Sequence, residues 1–464
     1  MATVAIIGGG VSGLFLSCFL KGRGWEVHLY EKTRKVGGNC ATARVRVESL
    51  YRWADLGVND FNQPMYQDVY NLMQALGIET PLLEDTSSFF TRDASTEYTI
   101  DGGFKTPMPA SFTSQFERFR DNATQVLNDP QYTELTVREF FAKQGYTDDF
   151  LRQCILPRIN AMYFSDDTAV DQMPIQAVLH YYVLQEGFGT TQPVQRRYFR
   201  NGTSMWIHRL KEASGAQIFT HQKDLRVCVQ PTSGNPRVRH AGIERAYDCV
   251  VFACHANQAL KAIDWGSVGP NPEITGMLGR IKYVDSTGYV HKWPGVLPRN
   301  PRAWRTYNVL IRDYQTEVNT PYSISYVLNH HQADAFNPFE DYYKTSPYFV
   351  TLNPFTPIPP EEILRDEDTK QDSWKFPHNV VNFDCLRSQQ ELWRDKAPLQ
   401  GQHGLYFTGG WTLGAGLHIE CWESARQVAD LLSGRKSSSS EMTHDPERGT
   451  ERSAPEYIRR LTLR

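Results

Sequence analysis

Residues 4–13, VAIIGGGVSG, decide the fold of this chain: an apolar run ends in a turn of three consecutive glycines. An apolar segment over residues 14–20 follows the turn, and a second apolar run over residues 26–30 ends on Glu31. A G-x-G-x-x-G turn between a strand and a helix, with an acid about 20 residues on, is typical of a dinucleotide-binding βαβ unit. We therefore predict a Rossmann-type nucleotide-binding domain.

Each residue of this unit has a physical role. Gly8 permits the tight turn, Gly10 lets the backbone approach a pyrophosphate, and Gly13 lets the helix pack closely on the strand. The helix N-terminus offers free N–H groups and the positive end of its dipole to phosphates. Glu31 is placed to accept a hydrogen bond from a ribose hydroxyl, which favours FAD or NAD over a 2′-phosphorylated ligand.

A second glycine pair follows at once, in KTRKVGGNC over residues 32–40. Two glycines let a second loop approach a ligand that already lies along the first helix. The pair resembles the signature of the FAD enzymes of the amine oxidase, phytoene desaturase and protoporphyrinogen oxidase superfamily. Many members have Arg after the pair, where this chain has Asn39.

Residues 404–420 resemble the C-terminal flavin motif of the same superfamily. GLYFTGG over residues 404–410 is typical of a buried strand that opens into a turn, and GAGLHIE over residues 414–420 leads into a helical pattern. The resemblance implies that this turn and the helix N-terminus meet the isoalloxazine edge. Many relatives have Gly-Asp where this chain has Gly409-Gly410.

A closer resemblance lies in residues 247–260, YDCVVFACHANQAL. This segment is similar to one found in bacterial and fungal NAD/FAD-binding proteins described as flavin-containing amine oxidoreductases. With other similar stretches, the resemblance spans roughly residues 1–433 and implies an α/β fold, with a Rossmann-type FAD-binding domain interleaved with an α+β substrate-binding domain. The layout predicts an FAD-binding domain at 1–64, 197–265 and 395–433, a substrate domain with a helical insertion at 65–196 and 266–394, and a disordered tail at 434–464.

The motifs and the resemblance together indicate which residues bind the cofactor and which take part in the chemistry. The predicted cofactor-binding residues are Gly8, Gly10, Val11, Ser12, Gly13, Glu31, Lys32, Gly37, Gly38, Asn39, Gly57, Val58, Val227, Gly409, Gly410, His418 and Ile419. His418 and Glu420 are the predicted catalytic pair, with His418 as a hydrogen-bond donor to the flavin or an acid and base near neutral pH. The alternative is structural: His418 braces the turn and Glu420 complements the helix dipole.

Other histidines give weaker indications. His291 is predicted to be a satisfied core or pocket-wall residue. The pair His330-His331 lacks acidic or cysteine residues at ligand spacing, so no metal site is predicted. Phe376-Pro377-His378 is interpreted as a turn.

Composition limits the possible functions. The net charge of −3 argues against nucleic-acid binding, and the eight cysteines show no C-x-x-C spacing, so no disulfide framework is predicted and a reducing cytoplasm is the expected setting. Residues 4–20 carry no charge, but their glycines argue against a signal or membrane segment. The 12% aromatic content favours core packing and also suits an apolar substrate tunnel.

These features predict an FAD-dependent oxidoreductase that takes hydride from a C–H or C–N bond of a largely apolar small molecule, such as a lipid or a natural-product intermediate. Molecular oxygen or another acceptor would reoxidise the cofactor. The alternatives are a flavin-dependent double-bond isomerase, an amine oxidase, an NAD-dependent dehydrogenase and a nucleotide-binding scaffold without activity.

Overall fold

The computed structural model describes residues 1–100, 107–163, 165, 167–191, 193–231, 234–312, 322–331, 346–394 and 398–434. The predicted tail therefore lies outside the described residues beyond Gly434. The described helices are Val11–Lys21, Gln67–Ala75, Ala110–Asp121, Ala123–Asn128, Val137–Lys143, Asp148–Phe150, Leu156–Tyr163, Asp167–Asp171, Ile175–Glu186, Thr203–Ser214, Ala256–Ala262, Pro272–Arg280, Leu328–His331, Phe383–Trp393 and His418–Leu432, with a π-helical turn at Leu151–Ile155.

A five-stranded parallel sheet contains the N-terminal βαβ unit. In spatial order its strands are Leu405–Phe407, Cys249–Phe252, Thr3–Ile7, Glu26–Tyr30 and Gln217–Phe219. All five come from the three segments predicted for the FAD-binding domain. The helix Val11–Lys21 packs against the helices Thr203–Ser214 and His418–Leu432. Segments from the two ends of the chain thus become neighbours.

The apolar runs of this sheet are buried on both faces, as parallel sheets require. Val4 and Ile6 face the core that contains helix Val11–Lys21, whereas Ala5 faces a second core with Val250 and Phe252. The central strand therefore has no solvent-facing side. This explains why its sequence is a continuous apolar run rather than an alternating one.

A seven-stranded mixed sheet forms the second layer. In spatial order its strands are Trp374–Asn379, Tyr283–His291, Phe349–Leu352, Ile324–Val327, Tyr307–Leu310, Ser87–Phe90 and Thr96–Ile100. Every pairing is antiparallel except that of Tyr307–Leu310 with Ser87–Phe90. All seven strands lie in the segments predicted for the substrate domain. The domain boundaries themselves stay a prediction.

Three smaller strand groups complete the structure. They are a four-stranded sheet in the order Ile243–Ala246, Arg237–His240, Arg226–Cys228 and Ile263–Asp264, the hairpin Thr42–Val47 with Leu50–Asp55, and the pair Asp60–Asn62 with Arg196–Tyr198. The helices between residues 110 and 186 enclose a core rich in aromatic side chains, including Phe119, Phe141 and Tyr182. Many of the aromatic residues are thus used in packing.

All eight cysteines are free thiols. In the part of the chain that the structure describes, no helix is long and apolar enough to cross a membrane.

Candidate active site

A cavity of about 1450 Å³ lies between the parallel sheet and the seven-stranded sheet. On one side it is lined by residues that follow the carboxyl ends of parallel strands, namely Gly8, Glu31, Ala253, Cys254, Thr220, Gly409 and Gly410. On the other side it is lined by Phe89, Tyr307, Val309, Ile324, Tyr326, Trp374 and Phe376. Ligands of open parallel sheets bind at this carboxyl edge.

The three glycines of the first turn differ in what surrounds them. A Cβ at Gly8, where φ is +118°, would lie 2.4 Å from the carbonyl oxygen of Ala253, and one at Gly13 would lie 2.2 Å from the carbonyl oxygen of Gly8. A Cβ at Gly10 would meet no protein atom within 4 Å, and Gly10 lines the cavity. Gly8 and Gly13 are therefore required by packing, whereas Gly10 leaves open space at the helix N-terminus.

Glu31 ties this turn to the end of the second strand. Its Oε2 accepts a hydrogen bond from the backbone N–H of Gly9 at 2.8 Å, and its Oε1 accepts from the backbone N–H and the hydroxyl of Thr33, both at 2.8 Å. The side chain is buried and lines the cavity. Oε2 keeps acceptor capacity for a ligand hydroxyl, because a carboxylate oxygen accepts two hydrogen bonds.

The second glycine pair lies directly beside the first turn. The N–H of Gly37 donates to the carbonyl oxygen of Gly9 at 2.8 Å. A Cβ at Gly38, where φ is +59°, would lie 3.2 Å from the Cα of Gly10. This close contact and the positive φ both favour glycine at position 38, and the two loops form one wall of the cavity.

Basic side chains surround the cavity beyond the end of strand Glu26–Tyr30. They are Lys32, Arg34, Lys35, Lys211, Lys223, Arg226 and Lys261. The loop after Phe219 is held there by backbone hydrogen bonds from His221 to Thr33 and from Gln222 to Glu31. Of these basic residues, sequence analysis identified only Lys32; Arg34 and Lys35 stand in the same segment and were not singled out, and the other four come from segments that are distant in sequence. Their charges favour an anionic ligand at this end.

The C-terminal loop enters the cavity from the opposite end of the chain. A Cβ at Gly416 would lie 2.4 Å from the carbonyl oxygen of Gly410, so the loop folds tightly on itself. Glu420 holds this fold: its Oε2 accepts from the backbone N–H groups of Ala415 at 3.0 Å and Leu417 at 2.8 Å. Its Oε1 lies 3.3 Å from Nε2 of His180. Glu420 is buried and does not line the cavity.

The part of the cavity next to the seven-stranded sheet is a chamber with aromatic walls. Its tyrosines are Tyr66, Tyr163, Tyr181, Tyr182, Tyr307 and Tyr326. A network of charged groups stands at its edge, where Arg196 pairs at 2.9 Å with each of Asp60, Asp85 and Glu186. Sequence analysis missed this network, since no motif joins the four residues.

Comparisons with known proteins agree with this geometry. The family model of the NAD(P)-binding Rossmann-like domain matches residues 6–76. No curated protein matches the chain in sequence. Similar solved structures include putrescine oxidase bound to putrescine (TM-score 0.64, 13% identity, 93% of this chain and 99% of that chain), and cyclohexylamine oxidase from Brevibacterium oxydans (TM-score 0.62, 12% identity, with 93% and 99% covered). A fatty acid isomerase from P. acnes is similar as well (TM-score 0.61, 15% identity, 93% of this chain and 98% of that chain).

The chain has the fold of the FAD-dependent amine oxidase superfamily. The predicted α/β fold with a Rossmann-type domain is thereby confirmed, and the predicted resemblance is confirmed as a likeness of fold. At 12–15% identity the likeness concerns the fold.

The residues present fit the flavin cofactor to which an amine oxidase fold points. Gly10 leaves room at the helix N-terminus, Glu31 keeps acceptor capacity, and basic side chains surround the end of the cavity beyond Glu31. Most of the predicted cofactor-binding residues line the cavity. They are Gly8, Gly10, Val11, Ser12, Glu31, Lys32, Gly37, Gly38, Asn39, Gly57, Val58, Gly409, Gly410 and His418.

Three predicted cofactor-binding residues do not line it. Gly13 is in contact with the turn, as described above. Val227 is buried in its strand, paired with Val238 and Ile263, while its neighbour Arg226 lines the cavity. Ile419 packs against the apolar core that contains helix Val11–Lys21. These positions support the wall rather than form its surface.

His418 stands where the two flavin-type motifs of this fold meet. Its Nε2 lies 3.6 Å from Sγ of Cys40, which follows the second glycine pair. Burial lowers the pKa of His418 to about 4 and raises the pKa of the Cys40 thiol well above its ordinary value. At neutral pH His418 is therefore an uncharged imidazole that lines the cavity.

The interpretation of residues 376–378 as a turn was wrong. They belong to strand Trp374–Asn379, which pairs with Tyr283–His291, and His378 lines the cavity. Burial lowers the pKa of His378, and its Nδ1 lies 2.9 Å from the carbonyl oxygen of Asn379. His255, which sequence analysis did not single out for chemistry, also lines the cavity; burial lowers its pKa to about 4.

His291 is a buried residue of its strand, 2.8 Å from the Thr351 hydroxyl, and does not line the cavity. Among the described residues, no group of three or more His, Cys, Asp or Glu side chains is arranged to hold a metal ion.

Proposed function

We propose that this protein is an FAD-dependent oxidoreductase that takes hydride from a C–H or C–N bond of a largely apolar small molecule. The observation that carries the proposal is the continuity of one cavity. It joins the glycine turn at Gly8–Gly13, the second pair at Gly37-Gly38 and the C-terminal turn at Gly409-Gly410 with the aromatic chamber. A cofactor bound along these turns would meet a substrate in that chamber.

The cofactor would be held by the motifs already described. In this proposal Gly10, Val11 and Ser12 face the pyrophosphate, Glu31 accepts from the ribose, and Gly409-Gly410 border the ring system. FAD, when bound, supplies the hydride acceptor. The protein has to hold the reacting bond, exclude water and position polar groups.

His418 is the residue that we assign to the polar edge of the reaction centre. With a pKa of about 4 it carries no extra proton at neutral pH, so it acts through a ring N–H as a hydrogen-bond donor rather than as a general acid. Its Nε2 faces Cys40, which leaves the Nδ1 side for a bound molecule. His378, a second uncharged imidazole on the cavity wall, is the candidate to accept a proton from the substrate.

We assign Glu420 a positioning role. Its carboxylate contacts the backbone of the C-terminal loop and no cavity surface, so it acts on the reaction centre by fixing the loop that ends at His418. This assignment favours the structural alternative for Glu420 over direct catalysis.

A double-bond isomerase without net redox change is the second candidate. A fatty acid isomerase shares this fold over 93% of the chain, and an aromatic chamber suits an acyl chain as well as an aromatic substrate. The two candidates differ in one property: an oxidoreductase needs an electron acceptor such as molecular oxygen, whereas an isomerase completes its turnover without one.

An absorption spectrum of the purified protein tests the proposal. Bands at about 375 and 450 nm, in the protein as isolated or after loading with FAD, are the expected result. Anaerobic addition of substrate should bleach the longer band, with recovery on admission of oxygen. Product formation under anaerobic conditions without lasting bleaching supports the isomerase instead. A colourless protein that turns over NADH and cannot be loaded with FAD would overturn both candidates.

The same proposal includes the predicted domain boundaries, a cytoplasmic setting, and oxygen or another small acceptor as the second substrate.

A further inference from the structure

Arg158, in the wall of the aromatic chamber, has no ion-pair or hydrogen-bond partner among the residues that the structure describes. It lies on helix Leu156–Tyr163 and lines the cavity. Its guanidinium makes no hydrogen bond or ion pair with the residues that the structure describes, and its Nε is buried without a partner. Its guanidinium carbon lies over two aromatic rings, 5.3 Å from the centroid of Phe89 and 4.8 Å from that of Phe116.

The neighbouring Arg196 differs from Arg158 because its charge is neutralised by ion pairs. Three carboxylates, from Asp60, Asp85 and Glu186, surround it at 2.9 Å each. Those carboxylates are engaged with Arg196, and none of them forms an ion pair with Arg158. Glu186 acts on Arg158 only at longer range, where its negative charge helps to raise the pKa of the guanidinium.

A buried arginine Nε without a hydrogen-bond partner indicates that a bound molecule supplies the acceptor. Buried polar groups in native proteins are nearly always hydrogen-bonded, and an exception indicates a functional group or a missing ligand. The guanidinium presents a planar fork of N–H donors that matches the two oxygens of a carboxylate. Since carboxylates already stand around the neighbouring Arg196, a singly charged carboxylate is favoured over a doubly charged phosphate, which the same carboxylates would repel more strongly.

We propose that Arg158 binds the carboxylate of an anionic substrate whose apolar body lies against the aromatic walls of the chamber. The inference rests on the proposed function for the reaction that follows binding, and it narrows the substrate class to apolar carboxylic acids. An amine, the competing class, would place a second cation beside an unpaired arginine.

Binding of three eight-carbon probes to the FAD-loaded protein tests this inference by calorimetry. The probes are octanoate, 1-octanol and octylamine, which share a chain and differ in the head group. We expect octanoate to bind about 10-fold or more tightly than the other two, because hydrogen bonds to charged groups are the strong ones. Tightest binding of octylamine, or equal binding of all three, would overturn the inference.

Variants locate the effect. Arg158→Gln should weaken octanoate binding by about 10- to 100-fold and leave octanol binding unchanged. Arg158→Lys keeps the charge without the fork and should retain part of the affinity. Arg120→Gln removes an exposed cation that pairs with Asp121 and should change nothing. Equal loss for octanoate and octanol in Arg158→Gln would show a packing role only.

The flavin content of each sample separates the two proposals. Octanoate selectivity that depends on Arg158 in a protein that cannot be loaded with FAD would overturn the proposed function and keep the carboxylate site. A flavin-loaded protein that is reduced by an amine and shows no octanoate selectivity would keep the proposed function and overturn the carboxylate site.

Discussion

The carboxylate of Glu420 accepts a hydrogen bond from the backbone N–H of Leu417 at 2.8 Å, which fixes the C-terminal loop against the first turn of the helix that follows it. The same Oε2 also accepts the N–H of Ala415 at 3.0 Å. A residue in the first turn of helix His418–Leu432 thus satisfies two backbone donors, and its negative charge lies at the positive end of the helix dipole. The orientation of His418 depends on this cap.

Replacing Glu420 by glutamine tests the positioning role. The amide keeps the shape but loses the charge and half of the acceptor atoms, so we expect the free energy of unfolding to fall by about 1–2 kcal/mol. Urea denaturation measures this loss. Glu212→Gln, which removes an exposed carboxylate that pairs with Arg209, is the control and should change stability by less than about 0.5 kcal/mol. Unchanged stability together with lost turnover would instead make Glu420 part of the chemistry.

Alanine substitutions at Gly10 and Gly13 should separate the effect on cofactor affinity from the effect on the free energy of unfolding. Gly10→Ala adds a methyl group where no protein atom lies within 4 Å, at a backbone φ of −71° that alanine adopts freely. We expect it to cost less than about 1 kcal/mol of stability and to weaken FAD binding at least about 10-fold. Thermal unfolding of the protein without cofactor and titration with FAD measure the two effects.

Gly13→Ala should show the opposite pattern. Its Cβ would lie 2.2 Å from the carbonyl oxygen of Gly8, a backbone atom that cannot move without opening the turn, so we expect a loss of about 2–3 kcal/mol. Gly279→Ala, with nothing within 4 Å in helix Pro272–Arg280, is the matched control and should be neutral or stabilising. Similar stability losses at positions 10 and 13 would contradict this account.

The nucleotide-binding half of the site could be predicted from sequence because its requirements are local. The φ of +118° at Gly8 and the contact of Gly13 with the carbonyl oxygen of Gly8 both arise within the turn itself, and the βαβ unit then makes the first two strands parallel neighbours. The second glycine pair was also recognised in the sequence, whereas its contact with Gly10 was not predicted and became visible only in the structure.

The substrate half could not be predicted in this way. Arg158, Tyr181 and Trp374 come together only because a helix, a second helix and a strand of the other sheet pack around one cavity. No spacing along the chain marks them. His378 was misassigned for a related reason: proline two residues before Asn379 indicates a turn locally, but here it lies in a strand at the edge of its sheet, where the missing N–H is tolerated.

Arg196 should be among the residues most important for stability. Arg196→Met would leave the carboxylates of Asp60, Asp85 and Glu186 close together without their cation, and breaking such a buried network costs about 3–5 kcal/mol. Chemical denaturation measures the loss. Arg200→Met removes an arginine that pairs with the exposed Glu79 and should cost less than about 1 kcal/mol. Equal costs for the two variants would show that the network adds nothing to the surface pair.

The buried histidines make stability depend on pH with a defined sign. Burial lowers the pKa of His291 to about 3, whereas an unfolded histidine titrates at about 6.5. As pH falls below about 6.5 the unfolded chain takes up a proton that the folded protein does not, so stability is lost between pH 6.5 and 3. His291→Gln should therefore reduce the difference in unfolding free energy between pH 7.5 and 5.0 by about 2 kcal/mol.

Urea denaturation at both pH values measures this difference, and His208→Gln, on the exposed face of helix Thr203–Ser214, serves as the control. A wild-type pH dependence in His291→Gln would mean that His291 takes up its proton as readily in the folded protein as in the unfolded chain, and at pH 5.0 its 2.8 Å contact with Thr351 would then be a hydrogen bond donated by an imidazolium.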